Sequence, residues 1–211
     1  MKNKRKNKGD VSFYLTSVIL VAAMLVALAS VWYLATCQLE QLQTQEPGNG
    51  QEGEQITVAY EKEVAAASEK YGVPVARIYA VILTESSFRP TVVSKAGAVG
   101  LMQMLPSTYE EQCAKRGVPY HPEDLKKPEV NIDFCTEYLR ELYEMTGSWD
   151  SAHLAYHAGI GTVKKWLKDP ACSVDGVTVQ YVPKESSRVY LERIREAYAL
   201  YDRVLKEDVA A

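Results

Sequence analysis

The chain has 211 residues and carries 24 Lys and Arg against 27 Asp and Glu, a formal net charge of −3. Lys2, Lys4, Arg5, Lys6 and Lys8 are gathered in the first ten residues, so the rest of the chain is distinctly acidic. An acidic body argues against a nucleic-acid partner, which needs clustered Lys and Arg. It also argues against long-range steering toward any anionic polymer, so recognition of one would have to come from short-range contacts in a cleft.

The first element in chain order is apolar. Phe13 to Thr36 contains no charged residue. About 24 residues of helix at about 1.5 Å each reach about 36 Å, more than the roughly 30 Å hydrocarbon core of a bilayer. Basic residues precede this run and none closely follow it. That asymmetry predicts a cytoplasmic tail over residues 1–12, a single transmembrane signal-anchor helix over 13–36, and an extracytoplasmic chain beyond. Two alternatives stand beside the uncleaved anchor. Ala27-Leu28-Ala29 is a candidate signal-peptidase site, and Leu34-Ala35-Thr36-Cys37 faintly resembles a lipoprotein box, with an unusual Thr before the Cys. The length of the run favours the anchor. Residues 37–55 are rich in Gln, Glu and Gly and hold too few apolar side chains to bury a core, so they read as a flexible linker.

From Ile56 the pattern turns helical. Ile56, Tyr60, Val64, Ala67 and Tyr71 recur at three- and four-residue spacing and Gly72 supplies a stop. Pro74 opens a second helix running to about Ser86, which should be over by Arg89 because Pro90 disfavours helix in the residue before it. Gly97 and Gly100 mark a loop, and a third helix runs from Pro106 to Gly117. A fourth spans about Glu129 to Thr146, with Ile132, Cys135, Leu139 and Leu142 on one face. Ser148 caps a fifth that reaches Ala158, and a short sixth covers Thr162–Leu167. Alternating Val177, Val179 and Tyr181 after the Asp175-Gly176 turn suggest a small β-hairpin. The last helix runs from about Lys184 to Lys206 with Tyr190, Ile194, Ala197, Tyr201 and Val204 inward. About seven helices with short connections predict an all-α domain over 56–206, followed by a tail over 207–211. Cys113, Cys135 and Cys172 allow at most one intramolecular disulfide, in three ways, or serve as three small buried apolar residues.

Glu85 is the residue that carries chemistry. It lies three residues after Ile82 and seven after Ile78, on the face that helix buries. A carboxyl in apolar surroundings holds its proton to higher pH, and the C-terminal end of a helix dipole further disfavours the anion. A Glu protonated near neutrality suits general acid catalysis on a glycosidic oxygen. The plainer reading is a rim Glu paired with Arg77 or Arg89.

The neighbouring motifs favour the chemical reading. Glu85-Ser86 is followed by Ser94, Gly97-Ala98-Val99 and Gly100-Leu101-Met102-Gln103, then Ala155-Tyr156-His157-Ala158-Gly159, then Val182-Pro183-Lys184-Glu185-Ser186-Ser187-Arg188-Val189-Tyr190. This ordered set resembles the lytic transglycosylase catalytic domain of the soluble-transglycosylase (SLT) type, a lysozyme-like fold, over about residues 57–205. Asp124-Leu125 and Asn131-Ile132 also look like the family pattern. The resemblance implies a peptidoglycan lyase without a cofactor, with Glu85 as the single acid/base. It would protonate the bond between N-acetylmuramic acid and N-acetylglucosamine and leave 1,6-anhydromuramyl ends. It further implies that Ser86, Ser94, Gly100, Leu101, Met102, Gln103, Tyr156, His157, Ala158 and Tyr190 bind substrate. Ser94 and Gln103 would do so from the cleft floor, and Tyr190 would lie against the catalytic carboxyl.

Goose-type lysozymes share the Glu and a Gly-Leu-Met-Gln segment but generally carry aspartates between them, whereas residues 86–109 here hold neither Asp nor Glu. Most glycoside hydrolases need a second carboxylate, so internal attack is the better reading and a hydrolytic muramidase the alternative. A non-catalytic peptidoglycan-binding scaffold is a third reading, and the retained Glu85 argues against it. His157 stands where the family pattern has Asn. A neutral imidazole can donate and accept hydrogen bonds, while an imidazolium only donates, so activity should fall at acidic pH more than in relatives that carry Asn. Asp150, His153 and His157 share a helix face at metal-ligand spacing but lack a His-Glu-x-x-His signature, so no metal is expected. The implied partners are peptidoglycan strands and the membrane lipid around residues 13–36.

Overall fold

A left-handed Tyr60 (φ 62°) sets the start of α1, Glu61–Tyr71, later than the spacing from Ile56 suggests. The computed structural model describes residues 56–210, and in it residues 56–60 precede the helix as irregular chain, with the Thr57 carbonyl accepting a 2.8 Å hydrogen bond from the Tyr201 hydroxyl. The tail, anchor and linker predicted over 1–12, 13–36 and 37–55 lie outside the described residues. Among those described, no helix is long and apolar enough to cross a membrane.

Six further α-helices follow among the described residues. They are α2 (Val75–Ser86), α3 (Pro106–Arg116), α4 (Pro128–Thr146), α5 (Trp149–Ala158), α6 (Ile160–Lys168) and α7 (Glu185–Ala210). Proline opens α3 and α4, where the missing N–H has no intrahelical partner to lose, and Gly72, Gly117 and Gly147 close α1, α3 and α4 in left-handed geometry. A 3-10 turn over Pro122–Lys126 precedes α4 and had no sequence signal strong enough to predict it.

α2 is the central helix. It buries Ala76, Ile78, Tyr79, Ala80, Val81 and Ile82, which cover most of its circumference, as expected of a helix enclosed by others. α7 packs along it, and Tyr79 stacks on Tyr201 with ring centroids 5.0 Å apart while Phe88 flanks both. α4 packs on α1 and α5. Arg116 at the end of α3 ties this side together: it lies 3.6 Å over the Phe134 ring and ion-pairs with Asp133 and Glu137.

The hairpin expected near 177–181 is absent: residues 172–182 form a loop organised by side chains. Asp175 accepts hydrogen bonds from the Val177 and Thr178 amides, Ser173 donates to the Thr178 carbonyl, and Ser151 of α5 donates to the Val177 carbonyl. Of the three alternating residues only Val179 plugs into the core, while Val177 and Tyr181 are exposed. The alternation was real, but the backbone groups are satisfied without a ladder. Short antiparallel bridges do occur elsewhere, at Val93–Val99 and Val99–Met104. Cys113, Cys135 and Cys172 are buried free thiols.

His153 is fully buried with neither ring nitrogen hydrogen-bonded, and burial holds its pKa down to about 3, so it is a neutral core residue. Asp150 is paired with Arg195 and the His157 ring is stacked on Tyr190, and among the described residues no three His, Cys, Asp or Glu side chains gather as a metal site would need.

Candidate active site

Glu85 sits in the last turn of α2, and the way this helix ends defines the site. Ser87 (φ 50°) and Phe88 (φ 63°) both take left-handed conformations, turning the chain sharply away. Such a geometry costs on the order of 1 kcal/mol or more per non-glycine residue. Ser87 N–H closes on the Leu83 carbonyl. Two arginines satisfy other carbonyls of the terminus: Arg89 Nε donates to Ser86 O at 2.9 Å and Arg193 Nη2 to Thr84 O at 3.2 Å. Cations placed there complement the negative end of the helix dipole. The rim ion pair considered for Glu85 is not formed. Arg89 is occupied as described, and Arg77 is held over the Tyr198 and Trp149 rings at 4.1 and 4.8 Å.

Glu85 is half-buried. Burial pushes its carboxyl up to about 7, partly offset by the Tyr190 hydroxyl and the Arg193 charge, and no carboxylate is among the groups that act on it. Tyr190 is buried in the first turns of α7. Its hydroxyl lies close enough to influence Glu85 but makes no hydrogen bond of good geometry. The Tyr156 phenol and the Cys135 thiol are both pushed up in pKa, chiefly by burial and secondarily by neighbours that include the Glu85 charge.

The segment 100–104 is fixed by Asn131 of α4. Asn131 Oδ1 accepts from the Met102 amide at 2.8 Å, and its Nδ2 donates to Val99 O and Leu125 O at 3.0 and 2.9 Å. Leu101 and Met102 are fully buried, so they pack the floor from beneath. The Met102 carbonyl accepts a 2.8 Å bond from the Tyr156 hydroxyl, which links α4, this floor and α5. Gln103 (φ 54°) folds its amide back onto Val92 O and Gly100 O, leaving its Oε1 without an intramolecular donor among the bonds described. The Ser94 hydroxyl accepts from the Ala98 amide and closes the preceding turn. Ser86 differs from the other implied contacts: it is buried and its hydroxyl donates to Ile82 O within its own helix.

His157 lies flat on Tyr190, with ring centroids 4.3 Å apart and planes at 15°. Burial and the Lys184 charge lower its pKa, so the ring stays neutral further into the acidic range than a free histidine would. A recess of about 280 Å³ opens between Gln103, Leu105, Thr108, Tyr138, Tyr156 and His157, with Ala158 also on its wall. No sequence signal points to Leu105, Thr108 and Tyr138. Asn131 belongs to a family-like motif, and its role as the buried hub of the floor emerges only from its contacts.

An all-helical domain that half-buries a carboxyl of raised pKa, with Tyr156 both within electrostatic reach of that carboxyl and on the wall of an open recess, is of the lysozyme-like kind. The chain belongs to the transglycosylase SLT domain family, whose model matches residues 62–173. It is 34% identical to the soluble lytic murein transglycosylase of Escherichia coli K12 over 64% of this chain and 22% of that protein. It is 32% identical to the membrane-bound lytic murein transglycosylase C of Edwardsiella ictaluri over 67% of this chain and 46% of that protein. The chain therefore spans less than half the length of these relatives. Among solved structures it is similar to the 70 kDa soluble lytic transglycosylase of Escherichia coli, with a TM-score of 0.62 and 28% identity over 71% of this chain and 25% of that one. An inactive glutamate-to-glutamine mutant of the Pseudomonas aeruginosa enzyme Slt superposes equally well, at 28% identity over 70% of this chain and 24% of that one.

Proposed function

We propose that this chain is a peptidoglycan lytic transglycosylase that works with Glu85 alone as acid and base. The observation that carries this reading is the raised pKa of a half-buried Glu85 with no carboxylate beside it. A carboxylic acid that is largely protonated near pH 7 can donate to the glycosidic oxygen as the bond from the muramyl C1 breaks. The resulting Glu85 carboxylate then takes the proton from the C6 hydroxyl of the same muramyl residue as its oxygen bonds to C1. One C–O bond breaks, one forms, Glu85 regains its proton and no water enters. A second carboxylate would be needed to activate water, and the structure offers none at Glu85. The recess beside Tyr138, Tyr156 and Gln103 supplies aromatic faces and amides for sugar rings, and the His157–Tyr190 stack holds the tyrosine down beside the acid. The names of the relatives, all murein transglycosylases, support the substrate class. The form of the released ends tests the reading: anhydromuramyl ends support it, and reducing ends in their place overturn it.

The same reading places the domain outside the cytoplasmic membrane, tethered by residues 13–36 through the linker 37–55. The uncharged run and the preceding basic residues support this topology, and one group of relatives is named as membrane-bound. The full-length chain is expected to stay with the membrane fraction through alkaline carbonate washing and to be released by detergent. Release by carbonate would contradict the anchor.

A further inference from the structure

The cleavage chemistry makes no use of the lysines on α6. Val163 is fully buried and marks the inward side of this helix. At about 100° per residue, Lys164, Lys165 and Lys168 lie on the opposite side, and all three are exposed. None of them forms an ion pair among the described residues. Lys184, also exposed and unpaired there, reaches His157 with its charge, so a fourth cation stands near the start of α6. The acids closest in sequence are engaged elsewhere. Asp169 accepts from the Ala171 amide, Asp175 from the Val177 and Thr178 amides, and Glu185 pairs with Arg188.

The loop that follows α6 turns apolar side chains outward. Val174 is 89% exposed and Tyr181 62%. Both are held at one edge of the loop, because the Val174 amide donates to Gln180 Oε1 and the Tyr181 amide to the Cys172 carbonyl. The loop also leans on α6. The Cys172 and Ser173 amides both donate to the Asp169 carbonyl at the helix end, and a Cβ on Gly176 would come within 3.9 Å of the Leu167 carbonyl. An apolar tip beside a row of unpaired lysines fits a lipid interface. There the ammonium groups meet headgroup phosphates, and valine and tyrosine reach the acyl boundary. A soluble polyanion would use the lysines alone and gain nothing from Val174 and Tyr181.

We propose that the lysine face of α6 and the Val174–Tyr181 tip form a docking surface for the anionic phospholipid headgroups of the membrane. The inference rests on the anchored reading above. A flexible tether as long as residues 37–55 spans roughly 25 Å, which keeps the domain at high effective concentration beside the bilayer and lets individually weak contacts hold. The net negative charge of the chain opposes adsorption through its other faces, so the contact sets an orientation. α6 starts from Gly159, which lines the recess with Gln103 and His157. Docking therefore holds the recess within about 14 Å of the lipid, the length of the nine residues of α6. The domain is thereby directed toward glycan that lies next to the membrane.

Full-length protein reconstituted in vesicles tests this. Vesicles of phosphatidylcholine alone are compared with vesicles of equal parts phosphatidylcholine and phosphatidylglycerol. Each preparation is floated on a density gradient and labelled with a membrane-impermeant amine reagent, read by peptide mass spectrometry. Lys62 and Lys126, exposed and outside the patch, serve as references. In the anionic vesicles, labelling of Lys164, Lys165 and Lys168 relative to these references is expected to fall by about threefold or more, and raised salt to restore it. The double variant Val174→Asp, Tyr181→Asp should lose the protection while cleaving soluble glycan fragments at the wild-type rate, since both side chains are exposed and lie outside the cleft. Equal labelling in the two kinds of vesicle overturns the proposal. Protection by soluble polyphosphate that equals that of anionic vesicles and survives the double variant also overturns it, because the face then reads charge without lipid. Flotation separates the docking surface from the anchor. A chain that floats with neutral vesicles but is labelled equally in both keeps the anchor and loses the docking surface. A chain that floats only with anionic vesicles refutes the anchor. The triple variant Lys164→Gln, Lys165→Gln, Lys168→Gln then decides for the docking surface if it no longer floats, and against it if it does.

Discussion

Glu85→Gln is expected to abolish cleavage and at the same time to stabilise the domain. The activity loss follows from removing the only proton donor and acceptor at the bond, with an expected fall of about 10²- to 10⁴-fold. The stability gain follows from linkage. Burial raises the folded-state pKa of Glu85 from 4.5 to about 7. Between these two values the unfolded chain releases the proton and the folded chain keeps it, so the native state loses about 1.4 kcal/mol per pH unit. Glutamine has no proton to lose, and the variant should be more stable by up to about 3 kcal/mol at pH 8 and equal to the wild type near pH 4. Denaturant unfolding at the two pH values reads this directly, and a stability difference that does not change with pH would contradict the assignment. The rate of the wild-type enzyme should decline as pH rises through about 7, because the protonated acid starts the reaction. Tyr190→Phe removes a hydroxyl that favours the anion, so it should move that decline to higher pH. This arrangement trades stability for a usable acid, a common feature of active sites.

Gly100→Ala is expected to be among the most damaging single-methyl additions in the domain. A Cβ at this position would lie 2.2 Å from Asn131 Nδ2 and 2.3 Å from the Leu125 carbonyl oxygen, and Gly100 has φ +88°, a conformation L residues rarely adopt. Overpacking and backbone strain each cost on the order of 1–3 kcal/mol, and the neighbours here are a buried hydrogen-bonding amide and a backbone carbonyl, with no flexible side-chain end to move aside. A loss of about 3–5 kcal/mol is expected in urea unfolding. Activity should fall further than stability alone explains, because displacing Asn131 frees the Met102 amide and with it the carbonyl that holds Tyr156. A change below about 1 kcal/mol would show that the floor is not fixed in the way described.

Much of this was legible in the sequence because helices advertise themselves by spacing. The stripe through Ile132, Cys135, Leu139 and Leu142 is the buried face of α4, and the register that puts Glu85 in line with Ile78 and Ile82 brings its carboxyl into a half-buried position. What spacing does not encode was missed. Ile56 and Tyr60 continue the period of α1, but a left-handed Tyr60 stops the helix before it reaches them. Val177, Val179 and Tyr181 alternate as a strand would, yet their backbone finds Asp175, Ser173 and Ser151 in place of a partner strand. Asn131 looks from sequence like any polar residue in the first turn of a helix. Its three bonds reach Met102, Val99 and Leu125, distances along the chain that no local pattern can report. Tyr138 lies on the same helix, half-buried, and only the tertiary arrangement of α3, α4 and α5 turns it into the wall of a recess.

The most direct test is digestion of purified, ¹⁶O peptidoglycan in ¹⁸O-labelled water, with mass spectrometry of the muropeptides. A carboxyl that acts alone, with the sugar's own hydroxyl as nucleophile, should release 1,6-anhydromuramyl ends that contain no ¹⁸O. Reducing muramyl ends carrying one ¹⁸O at C1 would show that water is the nucleophile and that a second group, absent from the surroundings of Glu85 described here, activates it.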